Sequence, residues 1–163
     1  MQYLEVIKNK IYNAETLTRM LAMWRFQDKK VVFTNGCFDI LHLGHIDYLS
    51  KAKDLGDVLI VGVNTDESVK RLKGESRPLT DEVSRSIIMA SLQFVDAVVL
   101  FGEDTPYELL KEVQPDTLVK GKDYREEEVV GYDIVKKKGG RVITLDLLEG
   151  YSTTAIELRI KQS

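Results

Sequence analysis

Val31-Val32-Phe33-Thr34-Asn35-Gly36-Cys37-Phe38-Asp39, followed at once by Ile40-Leu41-His42-Leu43-Gly44-His45, decides how this chain is read. The first part is a β-rich apolar run that ends in a glycine turn. The second opens an amphipathic segment with two histidines three residues apart, and the chain has 2 in all. From Gly44 onward, Ile46, Leu49, Ala52 and Leu55 recur at helical spacing and predict a helix with one face on a core. Strand, turn and helix start in that order bring backbone N–H groups, a positive helix end and two imidazoles to one strand edge. Such a spot suits a phosphate. Gly36 is expected to let the backbone turn sharply and approach a ligand, and Gly44 to keep the space between the histidines clear.

Other readings of the same residues stay open. A histidine in a loop is commonly solvated or satisfied in a core. Two histidines at this spacing also suit a metal, with Asp39 as the available third ligand. Zinc sites, however, recruit three or four ligands, and the chain has no further histidine and 1 cysteine. That cysteine, Cys37, adjoins the turn. No histidine or other base is obviously paired with it, so a small buried filler is favoured over a nucleophile.

Working outward, apolar segments alternate with helical ones. A helix is expected over 14–27 and strands over 30–35, 57–63, 96–101, 117–120 and 141–145. Asp57 to Val63 is a continuous apolar run after its first residue, as in a parallel strand covered on both faces. A helix over 81–93 starts with Asp81 and Glu82 in its first turn. Thr105-Pro106-Tyr107-Glu108 reads as a capping box with proline at the first helical position. A helix near 126–138 ends in Lys136-Lys137-Lys138 before Gly139-Gly140, where cations complement the helix dipole. A last helix starts near 152. The alternation predicts a doubly wound, Rossmann-like α/β fold with a five-stranded parallel sheet. It forms one domain over 1–163, with 1–29 as a helical extension packed on it.

Bulk properties narrow the function. At 163 residues and 44% hydrophobic, the chain is of one-domain length. No apolar run approaches membrane-spanning length, and the N-terminus has no secretory pattern. One cysteine excludes an internal disulfide and fits a reducing compartment. A net charge of −3 argues against general nucleic-acid binding.

Ligands of such sheets lie at the carboxyl ends of strands, where strand order reverses. Asn64 to Asp66, Lys120 to Tyr124 and Gly150 to Thr154 fall at such ends beside the opening motif. Of the basic clusters, Lys70-Arg71-Lys73 with Arg77, and Lys120-Lys122-Arg125, flank these motifs and are the phosphate candidates, although a solvated surface is equally open for any one lysine. Ser152, Thr153 and Thr154 open the last helix. One hydroxyl suffices for a cap, whereas three beside free N–H groups make a second anion site.

Thr34 to His45, together with Val63-Asn64-Thr65-Asp66, Arg77-Pro78-Leu79-Thr80, Val119-Lys120-Gly121-Lys122-Asp123-Tyr124 and Glu149-Gly150-Tyr151-Ser152-Thr153-Thr154-Ala155-Ile156, resembles the HxGH nucleotidyltransferase superfamily. The branch it resembles is the D-glycero-β-D-manno-heptose 1-phosphate adenylyltransferases, free-standing or as the C-terminal half of bifunctional heptose kinase/adenylyltransferases. The likeness covers about residues 15–161, and it departs from the family at Tyr151, where a small residue or cysteine is usual. It implies transfer of an adenylyl group from ATP to a sugar 1-phosphate with release of pyrophosphate, Mg²⁺ travelling with the triphosphate and no metal held by the protein.

By the same resemblance His42, His45 and Arg85 are catalytic, Arg85 facing the triphosphate. A surface ion pair with Asp81 or Glu82 is its alternative role. Thr34, Asn35, Gly36, Phe38, Asp39, Gly44, Lys120, Gly121, Asp123, Ser152, Thr153 and Thr154 bind the nucleotide. The resemblance further implies small-molecule substrates only, a homo-oligomer, and a cytoplasmic setting. With some thirty residues ahead of the first strand, a free-standing adenylyltransferase is expected. A glycerol-phosphate cytidylyltransferase and a silent nucleotide-binding module are the alternatives. Pantetheine-phosphate adenylyltransferases typically carry threonine at the place of His42.

Overall fold

Six parallel strands, not five, make the sheet, in the order β1-β4-β3-β2-β5-β6. They are β1 (Ile11–Tyr12), β2 (Val31–Gly36), β3 (Val58–Asn64), β4 (Ala97–Phe101), β5 (Thr117–Gly121) and β6 (Arg141–Leu145). The computed structural model describes residues 2–122 and 125–162. The additional strand is Ile11–Tyr12, which pairs with Val98 and Val99 at one edge. Two residues are too few to carry a periodicity, so the sequence pattern passes over them.

Both sheet faces are covered, and alternation along each strand explains how. In β2, Val31 and Phe33 point to one core while Val32 points to the other. In β3, Val58 and Ile60 join the first core, and Leu59, Val61 and Val63 the second. Helix α2 (Ala14–Phe26) packs Leu17, Leu21 and Trp24 on the first face, joined by α6 (Tyr107–Val113) and α7 (Tyr132–Lys137). On the second face lie α3 (Leu43–Lys53), through Leu49 and Ala52, and α5 (Glu82–Ser91), through Met89 and Ala90. Ile7 of α1 (Tyr3–Lys8) packs against that second core as well. Each such fully buried Leu, Ile or Met contributes about 1.5–3 kcal/mol.

Two helical readings change. Residues 126–138 do not form one helix. A 3₁₀ turn, Glu126–Glu128, and α7 are separated by Gly131 at φ 92. A Cβ there would come within 2.3 Å of Leu110 Cδ1, so the position needs glycine for both conformation and space. The Thr105 capping box is absent as well. Pro106 occupies the N-cap of α6 and no side chain caps it. Helix α4 (Asp66–Lys73) leaves no apolar period in the sequence, because its buried set is Ser68 and Val69 alone. Thr65 caps it through the Ser68 N–H.

The topology fixes where a ligand belongs. Strand β2 lies between β3 and β5, so the chain steps outward one way through β3 and β4 and the other way through β5 and β6. The β2–β5 ladder pairs Val32 with Thr117 and Phe33 with Leu118. Beyond it a crevice opens at the carboxyl ends of the strands, which is the switch point of the fold.

Candidate active site

The chain leaves β2 through a turn made at Phe38, not at Gly36. Phe38 has φ 49, a left-handed conformation that a bulky side chain rarely adopts. At Gly36 space is tight instead, since a Cβ there would lie 3.1 Å from the Phe38 ring. The ring is buried and meets His45 edge-on at 5.3 Å between centroids. Helix α3 then starts behind His42, which occupies the N-cap in extended conformation. Gly44 also serves close packing: a Cβ would lie 3.0 Å from His42 Nδ1 and 3.2 Å from Tyr151 Cβ.

His42 and His45 stack with centroids 3.7 Å apart and planes 22° from parallel. Both Nδ1 atoms are buried and have no partner among the described residues. A buried imidazole nitrogen without a partner is costly, and a ligand oxygen would satisfy it. Burial lowers the pKa of His42 below its ordinary value. Burial, then the charges of His42 and Lys73, brings that of His45 down to about 4. Both rings are therefore neutral at neutral pH, and a neutral imidazole still has one N–H to donate.

The lowered pKa carries a stability prediction. The folded chain holds His45 at about 4, while its ordinary value is 6.5. Between these two values the unfolded state binds more protons, so stability falls as pH drops through the window and is fully present above it. Urea midpoints near pH 7 and near pH 5 read this effect. His45→Gln should show a smaller loss on acidification than the wild-type chain, and an identical loss would place the acid sensitivity elsewhere.

Around the histidines lies a cavity of about 410 Å³. Of the residues expected to bind a nucleotide, Asn35, Gly36, Phe38, Asp39, Gly44, Lys120, Gly121, Ser152 and Thr153 line it, with both histidines. Lys120 Nζ donates to Asn35 Oδ1 at 2.6 Å across the open end of the β2–β5 crevice. Ser152 Oγ accepts from the Ala155 N–H at 3.1 Å, so it caps α8 (Thr153–Gln162) and faces the cavity at once.

Asp39 is committed to the protein. Its carboxylate accepts from Arg77 Nη1 at 2.8 Å and from the N–H groups of Leu79 and Thr80 at 2.7 and 2.9 Å. Burial opposes its ionisation, but the Thr80 N–H, the Arg77 guanidinium and the Leu79 N–H prevail and hold it below the usual carboxylate range. Arg77 also pairs with Glu157 of α8, so one guanidinium ties the turn, the 77–80 segment and the last helix together. Asp39 is spent, and no group of three or more metal-ligating side chains occurs among the described residues.

Three expected site residues stand elsewhere. Thr34 is fully buried and its hydroxyl is 2.8 Å from that of Tyr48, so it braces the turn from below. Thr154 is exposed on α8 and does not line the cavity. Arg85 is neither facing a triphosphate nor paired at the surface with Asp81 or Glu82. It is fully buried and donates to Thr80 O at 2.9 Å, Cys37 O at 2.6 Å and Asp66 Oδ1 at 2.8 Å. Its place in the first turns of α5 points it under the 37–39 segment, so it acts on the site through the backbone. Asp123 and Tyr124 lie outside the described residues.

The cavity also contains residues the sequence reading did not assign. Tyr48 lies one turn beyond His45 on α3, a spacing that already places the two on one face. Leu147 and Leu148 add an apolar wall, and of the basic clusters named as phosphate candidates Lys73, at the end of α4, reaches the same lining. Cys37 is half-buried at the lining, with Sγ 3.9 Å from Asn64 Oδ1.

A 62% identical stretch of 133 residues, 82% of this chain, matches the bifunctional protein HldE of a Nitratiruptor species, of which it spans 28%. The HldE of Magnetococcus marinus is 53% identical over 93% of this chain and 31% of its own length. The chain thus spans less than a third of these curated relatives. The crystal structure of the lipopolysaccharide core biosynthesis protein from Thermoplasma volcanium superposes with a TM-score of 0.61 at 36% identity, over 76% of this chain and 99% of that one. The cytidylyltransferase-like family model matches residues 33–159, from the strand before the histidine pair to the helix behind Ser152. By fold, by site and by this match, the chain belongs to the cytidylyltransferase-like family.

Proposed function

We propose that the chain transfers an adenylyl group from ATP to heptose 1-phosphate, releasing pyrophosphate and forming ADP-heptose. The observation that carries the reading is the stacked, neutral pair His42 and His45, with unpartnered buried nitrogens, beside the α3 N-terminus in the strand-end cavity. The curated relatives are bifunctional HldE proteins, and the crystal-structure relative is a lipopolysaccharide core biosynthesis protein. The second of these names accords with an activated sugar as product.

In this reading the base lies against Gly121, Leu147 and Leu148, and the triphosphate runs toward Ser152 and Thr153. An oxygen of the sugar 1-phosphate attacks the α-phosphorus in line. The new P–O bond forms as the bond to the β-phosphate oxygen breaks, and pyrophosphate leaves with the electron pair. A phosphate nucleophile is ionised at neutral pH, so no general base is needed. His42 and His45 donate to the charge that builds on the α-phosphate, and Lys73 and Lys120 offset the repulsion between two anions. Alignment contributes further, on the order of 7–11 kcal/mol in well-oriented reactions. A divalent cation would arrive on the triphosphate oxygens as part of the nucleotide.

The family description leaves CTP as the competing donor. With heptose 1-phosphate as acceptor, kcat/KM for ATP is expected to exceed that for CTP by at least about a hundredfold, or some 2.7 kcal/mol. A pyrophosphate-release assay with both nucleotides reads the ratio directly. Equal or faster turnover with CTP would replace the adenylyl reading by a cytidylyl one.

A further inference from the structure

A second cavity, of about 250 Å³, adjoins the first, and Asn35 and Lys120 line both. It lies over the carboxyl ends of β2, β3 and β5, and is closed by the β4–α6 loop and the 3₁₀ segment. Resting on the adenylyl-transfer reading above, we infer that this cavity holds the body of the acceptor, a polyhydroxylated sugar whose phosphate lies at the shared edge beside Lys120.

The charge layout supports this occupant. Lys120 is the cation of the lining, and it sits at the edge next to the histidine cavity. Farther in, the polar groups are Asn64, Asp104, Thr105 and Glu128. Carboxylates accept hydrogen bonds from sugar hydroxyls and repel a second phosphate, so an acceptor with one phosphate at one end and neutral hydroxyls behind it fits in one orientation. That orientation presents the phosphate to the α-phosphorus. Two of these groups are pre-set by the protein. Arg71 Nε holds Asp104 Oδ1 at 2.8 Å, and buried Asn64 donates to Ser68 Oγ at 3.0 Å. Thr105 and Glu128 are exposed, so both remain accessible to a substrate. Specificity for the acceptor is thereby separated from the nucleotide site. It is carried by the β4–α6 loop and the 3₁₀ segment, neither of which lines the histidine cavity.

The test is the double variant Thr105→Ala with Glu128→Ala, at exposed positions where the fold is not at stake. Pyrophosphate release is first measured for the wild-type chain on heptose 1-phosphate, ribose 1-phosphate and glycerol 3-phosphate. That panel alone judges the adenylyl-transfer reading, and the variant is then assayed with whichever acceptor the wild-type chain uses best. The expected result is an acceptor KM raised about tenfold or more, with the ATP KM and kcat changed less than about threefold and discrimination among the three acceptors reduced. An acceptor KM within about twofold of wild type, or an ATP KM that rises in parallel, would overturn the assignment of this cavity.

Discussion

His42→Ala and His45→Ala are each expected to lower kcat by about 10²–10³, or roughly 2.7–4 kcal/mol, in a protein that stays folded. Both rings line the cavity, each keeps a buried nitrogen without a protein partner among the described residues, and both are neutral near pH 7. In the proposed transfer they would act as hydrogen-bond donors rather than as acids or as fixed charges. Neither belongs to the hydrophobic cores beneath the sheet, so melting temperature should change little. ATP affinity, read by calorimetry, should fall less than kcat, because the donors matter most when charge builds on the α-phosphate. The proposed reaction would need no base, so neither variant should gain a new limb in its pH profile above neutrality. Variants that keep near wild-type kcat would return both histidines to structural roles.

Arg85 should behave differently. Arg85→Ala removes a fully buried guanidinium that holds Thr80 O, Cys37 O and Asp66, and breaking such a pair costs about 3–5 kcal/mol. Asp66 is partly exposed and recovers some hydration, so a loss near the low end, about 3 kcal/mol, is expected in urea unfolding. Arg85→Lys should recover only part of it, since an ammonium cannot reproduce the fork of the guanidinium. Cys37 O immediately precedes the left-handed Phe38, so activity should also fall as that turn loosens. A variant with unchanged stability but a large loss of ATP affinity would instead put Arg85 on the triphosphate.

These two sites show how much of the chain was legible in its sequence. The five long strands and the convergence of the motifs follow from apolar runs broken by turn residues, and those signals are strong because buried parallel strands admit little else. The edge strand Ile11–Tyr12 is too short to leave a pattern. The histidine pair is legible as a pair, because two residues one turn apart at a helix start share a face. The contacts that brace them are not. Arg85 reaches Cys37 O over 48 positions of sequence, and Asp39 reaches Thr80 over 41, so only the folded chain shows those side chains to be consumed. The same holds at Phe38, whose left-handed turn sequence reasoning gives to Gly36, two residues earlier. Tyr48 was the readable omission: its spacing from His45 places it on the site-facing side of α3, but an aromatic on a helix reads first as core.

In the proposed reaction this fold joins a nucleotide to a sugar phosphate. The most direct measurement is mass spectrometry of the products when the purified chain is given ATP and D-glycero-β-D-manno-heptose 1-phosphate and no other enzyme. ADP-heptose and pyrophosphate should form in equal amounts, with no product when either substrate is left out. Release of ADP with orthophosphate, or no sugar nucleotide at all from a chain that binds ATP, would contradict the account.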